Sequence, residues 1–368
     1  MKKYDYLIVG TGLFGSVFAH EAQRRGKRVL AIDKRDAVGG NCRCENTEGI
    51  NVHKYGAHIF HTSNERVWRY VNGIAEFNNF VNSPYAYFKG KLYSMPFNMN
   101  TFYALWGVTT PAQAREMIEK QTAPYRDKTP ENLQEKALSL VGPDIYNTLV
   151  KGYTEKQWGR SATELPPFII GRLPLRFTFD NNYFNDRYQG IPIGGYNVLF
   201  DKLLKGVDVR LGVDFFKDRA ALTALADKVV FTGALDEFFD KRYGALEYRS
   251  LRFETEVLDT PDFQGNAVIN YTDSSPAYTR IIEHKHFEKT PSQKTVITRE
   301  YPAAMTEGAE PYYPVNDARN EALADRYRAL AAQEKNVIFG GRLGDYRYLD
   351  MDKVIASALA AVDAEFGV

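Results

Sequence analysis

The chain begins with a strand, a glycine-rich turn, a helix and a second strand, and this order constrains its fold more than any other feature. Tyr6-Leu7-Ile8-Val9 is a short apolar run, typical of a strand buried on both faces. A GxGxxG turn follows, formed by Gly10, Gly12 and Gly15. The first glycine permits the turn, the second lets a pyrophosphate approach the backbone, and the third lets helix and strand pack closely. The pattern predicts a Rossmann-type unit with phosphate at the N-terminus of the helix.

The end of the second strand and the loop after it indicate which dinucleotide is bound. Asp33 closes the strand, where its carboxylate can accept hydrogen bonds from ribose hydroxyls. The loop that follows, residues 34–41 with Gly39-Gly40 inside it, is similar to the extension of flavoproteins of the glutathione-reductase and amine-oxidase type. NAD enzymes do not need this extension, so the sequence predicts FAD.

A second glycine turn near the C-terminus supports the same prediction. Gly340-Gly341-Arg342 follows an apolar strand and precedes a helix that starts near Met351. In flavoproteins of this type an arginine there can neutralise the pyrophosphate, and the helix can point its N-terminus at the isoalloxazine ring. The candidate cofactor residues are Gly10, Gly12, Phe14, Gly15, Asp33, Lys34, Gly40, Asn41, Gly341, Arg342 and Met351.

The rest of the chain predicts an α/β protein with a helical insertion and an antiparallel β-sheet domain. The segments 111–121, 130–141 and 143–151 have helical spacing and are separated by Pro and Gly. Alternation at 168–189 and from about 245 to 305 predicts antiparallel strands with one solvated face. The predicted domains are a discontinuous FAD-binding domain of residues 1–80, 190–240 and 330–368, a helical domain of 98–160, and a sheet domain of 81–97, 161–189 and 241–329.

Composition excludes several classes of function. The 47 basic and 46 acidic residues leave a net charge of +1, which gives no electrostatic case for binding nucleic acid or an anionic membrane. Cys42 and Cys44 are too few and too close for a disulfide framework, and a reducing cytoplasmic location is expected. No apolar window reaches about 18 residues, so no membrane span is expected. His58 and His61 have no third ligand at suitable spacing, and no metal is expected.

Several further segments resemble bacterial UDP-galactopyranose mutase. They are residues 55–62 (YGAHIFHT), 151–158 (KGYTEKQW), 172–174 (RLP), 183–184 (YF), 193–196 (IGGY) and 346–352 (YRYLDMD). The resemblance runs from about residue 4 to 365 and is far more specific than the glycine fingerprint. It implies isomerisation of UDP-galactopyranose to UDP-galactofuranose through a covalent sugar adduct at N5 of reduced FAD, with no net redox change.

The resemblance also implies a role for individual residues. A departing diphosphate calls for arginine and tyrosine donors, because guanidinium matches phosphate geometry. The catalytic residues it implies are Arg172, Arg280 and His58, with His58 also against the isoalloxazine. The substrate-binding residues it implies are Tyr153, Trp158, Tyr183, Asn270, Tyr313, Tyr348, Asp350, Asn82 and Arg249. In one departure from the family, which often has aromatics just before the Tyr153 segment, this chain has Leu149-Val150.

Other interpretations remain open at the level of sequence. A flavin amine oxidase would share the cofactor domain but needs an apolar tunnel to the flavin, and a non-catalytic flavin-binding scaffold would yield no isomer. Tyr153 and Trp158 are also typical core aromatics, and either arginine could be a solvated charge. His284 and His286 lie in a polar strand and are expected to face solvent. The expected partners are a UDP-galactose substrate, a reductant for the flavin and a second copy in a homodimer.

Overall fold

A five-stranded parallel sheet carries the N-terminal unit. The computed structural model describes residues 2–170, 175–306 and 308–367. The strand order across the sheet is Val337–Phe339, Ala226–Phe231, Tyr4–Val9, Val29–Asp33 and Asp208–Leu211. Both faces are covered, because Ile8 packs into one core cluster and Leu7 into another on the opposite side. Full burial on both faces explains why these strands are continuous apolar runs.

A seven-stranded sheet forms the second layer of the molecule. Its strand order is Tyr313–Pro314, Tyr248–Leu258, Thr295–Ala304, Arg280–Glu283, Val268–Tyr271, Tyr85–Phe88 and Lys91–Ser94. All neighbours are antiparallel except Val268–Tyr271 and Tyr85–Phe88, which run parallel. The strands predicted between residues 245 and 305 are therefore confirmed, and so is the mixed α/β fold class. The predicted domain boundaries stay predictions.

The strands predicted over residues 168–189 are wrong for most of that segment. Pro167–Ile170 is a short 3₁₀ turn, and the strand found within the described part is Tyr188–Gly190, which pairs with Phe60–Thr62. Side chains replace the strand ladder here: Asn98 donates to the carbonyl of Asp180, and Arg176 donates to the carbonyls of Asn182 and Tyr183. The side chains of Asp180 and Asn182 also accept from the backbone N–H groups of Asn182 and Phe184, and such local bonds compete with strand pairing.

Most of residues 99–158 form helices, and two of these helices start at residues that cap them. Helices run over Met99–Trp106, Pro111–Thr122, Leu133–Ile145 and Lys151–Trp158, with a π-helical stretch at Tyr146–Val150. Asn98 and Thr110 each form a capping box at a helix start. Gly142, with φ 77°, and Pro143 kink the third helix. The helices predicted at 111–121 and 130–141 are confirmed, whereas the segment 143–151 contains the π-helical stretch.

The remaining elements complete the two layers. A two-stranded sheet pairs Cys44–Thr47 with Ile50–His53. The other helices are Leu13–Arg24, Glu65–Ile74, Tyr196–Leu203, Arg219–Ala224, Leu235–Phe238, Lys285–Glu288, Ala318–Ala331, Gly341–Gly344 and Met351–Phe366, with 3₁₀ turns at Gly40–Cys42 and Ala123–Tyr125. Among the described residues, no helix combines the length and the apolar character needed to cross a membrane.

The expectation that His284 and His286 face solvent is wrong. The His284 side chain is buried, with Nδ1 accepting from the backbone N–H of His53 and Nε2 bonding the hydroxyl of Thr298. His286 lies half-buried on the helix Lys285–Glu288, with Nε2 3.3 Å from a carboxylate oxygen of Glu283. Burial of His284 is tolerated because both ring nitrogens have partners.

Candidate active site

Two glycine turns meet at the start of the first helix. Gly10 has φ 98°, and a Cβ at Gly15 would overlap the carbonyl oxygen of Gly10, so both positions require glycine. A Cβ at Gly40 would lie 3.0 Å from the Cα of Gly12. Because Gly12 is also the N-cap of Leu13–Arg24, no side chain of its own covers the first-turn N–H groups. The arrangement leaves bare backbone at a positive helix end, which suits a pyrophosphate.

Asp33 lies at the expected strand end but already holds the loop. Its Oδ2 accepts from the backbone N–H and the hydroxyl of Thr11 at 2.8 and 2.6 Å, and its Oδ1 accepts from the backbone N–H of Arg35 at 3.0 Å. A carboxylate has about four acceptor sites. A ribose hydroxyl would therefore share this carboxylate with the loop.

Residues of the second loop turn towards Glu310. Lys34 and Arg35 form ion pairs with the two carboxylate oxygens of Glu310, at 3.2 and 3.0 Å. Arg35 also donates to the side chain of Asn41 and stacks over the ring of Tyr55, 4.3 Å from its centroid. Sequence reasoning chose Lys34 and Asn41 and missed Arg35, which links them. The tripeptide Lys34-Arg35-Asp36 contains no signal that would show which of the two basic residues contacts Asn41.

The C-terminal glycine turn packs directly on the first helix. A Cβ at Gly340 would overlap the ring of Phe14, whose side chain is buried, so the aromatic ring of Phe14 serves packing. Gly341 has φ 83°, and a Cβ added there would lie 3.3 Å from the Cβ of Phe14. Met351 begins the helix Met351–Phe366, and its sulfur lies 3.6 Å from that of Cys42. The turn and the glycine fingerprint thus form one continuous surface.

A row of polar side chains crosses the antiparallel sheet. Asn270 is directly opposite Arg280, and Arg280 is directly opposite Glu300, so all lie on the same face. Nε and Nη2 of Arg280 lie 3.0 and 2.9 Å from the Oε1 of Glu300, a residue only 1% exposed. Burial is the largest single influence and lowers the pKa of Arg280, but Glu300 and the phenols of Tyr153, Tyr313 and Tyr348 together raise it above the ordinary value, so the guanidinium stays charged. Sequence reasoning missed Glu300, because its place in the row depends on strand register.

The loop that carries His58 lies on this row. Gly56 has φ 95°, and a Cβ there would lie 3.0 Å from the Oε2 of Glu300. The Nδ1 of His58 is 2.8 Å from the carbonyl oxygen of Gly56, and its backbone N–H donates to the Nδ1 of His53 at 3.1 Å. Burial, with smaller contributions from Arg342 and Arg280, lowers the pKa of His58 to about 4. Neutral His58 therefore donates from Nδ1, and its Nε2 is an acceptor.

Tyrosines surround Arg280. The rings of Tyr313 and Tyr348 stack with centroids 5.7 Å apart. Burial raises the pKa of Tyr153 to about 12 and also raises the pKa of Tyr183 and Tyr313, while the charge of Arg280 opposes each shift. All three phenols are thus protonated near neutral pH and can donate hydrogen bonds. These predicted residues are brought together around one arginine.

Arg342 joins the C-terminal turn to these tyrosines. Its Nη2 donates to the carbonyl of Leu349 at 2.8 Å and its Nη1 to that of Tyr312 at 3.3 Å. The guanidinium carbon lies 5.3 Å from the ring centroid of Tyr348 and 5.8 Å from that of Tyr313. Arg342 therefore connects the cofactor side of the site with the tyrosine side.

A cleft of about 390 Å³ is lined in part by Arg249, which lies directly opposite Tyr313 in the sheet. It is lined by Trp158, Arg160, Phe168, Arg249, Met305 and Asp317, among others. Nη2 of Arg249 donates to the carbonyl of Gln157 at 3.2 Å, but its buried Nε has no hydrogen-bond partner among the described residues. A buried guanidinium N–H without a partner is costly. The cleft offers the aromatic rings of Trp158 and Phe168 to a ligand.

Some predicted residues contribute in other ways. Asn82 is buried, and its carbonyl accepts from the backbone N–H of Tyr183 at 2.8 Å, so it supports that tyrosine. Asp350 is the N-cap of Met351–Phe366. His61 stacks on Phe184 and bonds Asp186 at 2.6 Å, away from His58.

Two further predictions concern the nucleotide side. Leu149 and Val150, which stand where the family often has aromatics, are buried in the core of the helical segment. Arg172 lies outside the described residues, and its role stays a prediction.

Comparison with known proteins gives one consistent result. The family model for UDP-galactopyranose mutase matches residues 148–348, and a model for NAD(P)-binding Rossmann-like domains matches residues 8–74. A probable UDP-galactopyranose mutase of Klebsiella pneumoniae is 41% identical, over 99% of this chain and 95% of the relative. A dTDP-fucopyranose mutase of Escherichia coli is 39% identical, over 96% of each chain.

A solved structure agrees with this result at the level of fold. The crystal structure of a reduced UDP-galactopyranose mutase superposes with a TM-score of 0.74 at 14% identity, covering 99% of this chain and 96% of the other.

Proposed function

The chain belongs to the UDP-galactopyranose mutase family of isomerases, and we propose that it interconverts UDP-galactopyranose and UDP-galactofuranose with no net redox change. The observation that carries this proposal is the surrounding of Arg280. Its guanidinium is held by buried Glu300 and faces Tyr153, Tyr313 and Tyr348, each near enough to affect its pKa. A fixed guanidinium surrounded by phenol donors suits the binding of a nucleotide diphosphate. The amine substrate of an amine oxidase does not require such a group.

We propose FAD as the cofactor, used in its reduced form. The backbone approach of Gly12 and Gly40 leaves a cradle that side chains would fill, and it adjoins the turn that carries Arg342. The candidate cofactor residues therefore fit a dinucleotide. Reduced FAD, when bound, supplies a nucleophile for C1 of the sugar and is regenerated unchanged. An external reductant is needed only to prepare it.

Arg280 and the tyrosines handle the leaving group. Glu300 engages Nε and Nη2 of Arg280, and we assign its Nη1 to the diphosphate. Negative charge grows on UDP as its bond to C1 breaks, so donors already held in place stabilise the transition state more than the ground state. The phenols of Tyr153 and Tyr313 keep their protons and donate alongside. Arg172 would add a second guanidinium.

We assign the nucleotide to the cleft beside Trp158. Its ring lines the cleft together with Arg249, whose buried Nε lacks a hydrogen-bond partner among the described residues. Tyr153 lies on the same helix as Trp158.

His58 is assigned to the sugar side of the cofactor. It is neutral at the pH of the reaction, because its pKa lies at about 4. With Nδ1–H committed to Gly56, its Nε2 can accept a hydrogen bond from a sugar hydroxyl or from the cofactor. We therefore expect His58 to orient these groups without exchanging a proton.

A second candidate differs only in the substrate. The Escherichia coli relative named a dTDP-fucopyranose mutase is 39% identical, against 41% for the probable UDP-galactopyranose mutase. The two relatives are thus almost equally similar to this chain. The same chemistry on a dTDP-6-deoxyhexose is therefore the alternative.

The test is an isomerisation assay on purified protein loaded with FAD. UDP-galactofuranose and dTDP-fucofuranose are incubated separately with dithionite-reduced and with air-oxidised protein, and the pyranose products are separated by chromatography. We expect UDP-galactopyranose from the reduced protein only. Product from the dTDP sugar alone would transfer the assignment to the second candidate. Equal rates in both redox states would refute the use of reduced FAD. No product from either sugar would favour the interpretation as a non-catalytic flavin-binding scaffold.

A homodimer and a cytoplasmic location remain expectations.

A further inference from the structure

Lys156 ties the aromatic helix to the antiparallel sheet. It lies on Lys151–Trp158, between Tyr153 and Trp158. Its Nζ donates to the carbonyl oxygens of Tyr271, Pro276 and Tyr278 at 2.8, 3.1 and 3.0 Å. An ammonium has three N–H donors, so these carbonyls use all of them. They belong to one turn, residues 271–279, that joins two neighbouring strands of the sheet.

The lysine has exchanged water for these carbonyls. Burial lowers its pKa to about 8, while the carboxylate of Asp273 on the same turn opposes the shift. Withdrawing an ammonium from water is costly unless its hydrogen bonds are replaced. The three carbonyls therefore replace water around the ammonium and form a specific contact between helix and turn. A lysine on the open surface would stay hydrated.

Two independent contacts hold the same junction. A Cβ at Gly152 would overlap the carbonyl oxygen of Thr272, so the helix approaches the turn as closely as glycine allows. The hydroxyl of Thr272 donates to the carbonyl of Thr148 at 2.8 Å. Helix and turn therefore touch at the backbone, and Lys156 closes the contact further along the helix.

The strands on either side of this turn carry candidate substrate residues. Asn270 lies at the end of one strand, and Arg280 begins the next, directly opposite. The helix carries Tyr153 and Trp158. The position of the turn against the helix therefore sets the distance of Tyr153 and Trp158 from the row formed by Asn270, Arg280 and Glu300.

We propose that Lys156 is a positioning residue of the substrate cleft, which holds the turn 271–279 against the helix so that Tyr153 and Trp158 keep a fixed distance from Asn270 and Arg280. The proposal rests on the proposed function, because it concerns the grip on the nucleotide. Lys156 itself contacts backbone carbonyls, and its effect on the substrate is exerted through the residues it holds.

The test compares Lys156→Met, Lys156→Arg and the matched control Lys285→Met in the FAD-loaded protein. Lys285 also donates to two carbonyls, those of Pro261 and Ser292, but its helix Lys285–Glu288 carries none of the residues assigned to the cleft. Amide hydrogen exchange over residues 151–158 and 271–279 is measured by mass spectrometry without ligand. UDP affinity is measured by calorimetry, and KM and kcat follow for UDP-galactofuranose.

In Lys156→Met we expect faster exchange in the turn, about tenfold weaker UDP binding, and a larger rise in KM than fall in kcat, at normal FAD content. Lys156→Arg should recover part of the affinity, because the guanidinium keeps the charge but not the geometry. Lys285→Met should match the wild type in UDP binding.

Unchanged exchange in the turn of Lys156→Met would overturn the proposal, and so would unchanged UDP affinity or an equal loss in Lys285→Met. If the wild-type protein does not bind UDP, the proposed function fails. The exchange comparison still decides whether Lys156 holds the turn. If Lys156→Met does not fold, Lys156→Arg decides by the same comparison: wild-type exchange and affinity despite the altered donor geometry would overturn the proposal.

Discussion

The buried ion pair between Arg280 and Glu300 gives the sharpest prediction, because the same sheet contains an exposed pair for comparison. Oε1 of Glu300 lies 3.0 and 2.9 Å from two nitrogens of Arg280, and the carboxylate is almost fully buried. Arg299 pairs with Glu256 at 2.8 Å, but both side chains are partly exposed. The perturbation is Glu300→Gln, with Glu256→Gln as its control.

The expected magnitude follows from what glutamine retains. Its carbonyl oxygen can still accept from Arg280, but a hydrogen bond between charged partners becomes one to a neutral acceptor. Removing one charge of a buried ion pair costs about 3–5 kcal/mol, because the other charge is left uncompensated. Since glutamine keeps one hydrogen bond to Arg280, we expect Glu300→Gln to lower the free energy of unfolding by about 3 kcal/mol, the lower end of that range. An exposed pair contributes about 0–1 kcal/mol, so Glu256→Gln should cost less.

Turnover should fall with the loss of the buried carboxylate. Arg280 is then held less firmly, and its placement against the leaving diphosphate loosens, which we expect to lower kcat about tenfold. Denaturant titration measures the free energy of unfolding, flavin absorbance checks FAD content, and product chromatography gives kcat. Equal stability of the two variants would contradict the reasoning. Wild-type turnover in Glu300→Gln would show that Arg280 needs no fixed partner.

Three further predictions concern single residues. Trp158→Ala should weaken UDP binding about 5- to 150-fold in calorimetry, with normal FAD content, because base–aromatic stacking contributes roughly 1–3 kcal/mol; loss of folding instead would make the residue a core aromatic. Arg172→Ala should lower kcat at least about tenfold and Arg172→Lys should restore part of it, since lysine keeps the charge without the fork; wild-type turnover in Arg172→Ala would end its assignment to the diphosphate. The ring of His58 should show no NMR titration between about pH 5 and 8, because its folded pKa is about 4, below the ordinary 6.5. The unfolded chain takes up this proton first, so the stability from neutral His58 should be lost as the pH falls from about 6.5 towards 4, and a titration near pH 6.5 would contradict this.

Local stereochemistry made much of the cofactor unit predictable. Gly10 and Gly15 are required by backbone geometry within a few residues of themselves, so their spacing is readable from the sequence. The helix after Thr110 was predictable for the same reason, because periodicity and caps act within one or two turns, whereas the helix Met99–Trp106 was not predicted. The residues of the sugar-nucleotide site were nominated by resemblance to a family, which recognises a pattern without its geometry.

The sequence by itself determined the strand–turn–helix order, the glycines of the turns and the helical segment, since each depends on interactions between near neighbours. Only the tertiary structure decided that Glu300 pairs with Arg280, that Lys156 donates to a turn of the antiparallel sheet, and that His284 is buried. Each of these depends on strand register or on contacts between residues far apart in the chain. The segment 168–189 shows the same limit: its alternation favoured strands, but side chains of Asn98 and of Arg176 within the segment bind its backbone carbonyls. Register and burial are set by the packing of whole sheets, and a one-residue shift would move every side chain of a strand to the opposite face.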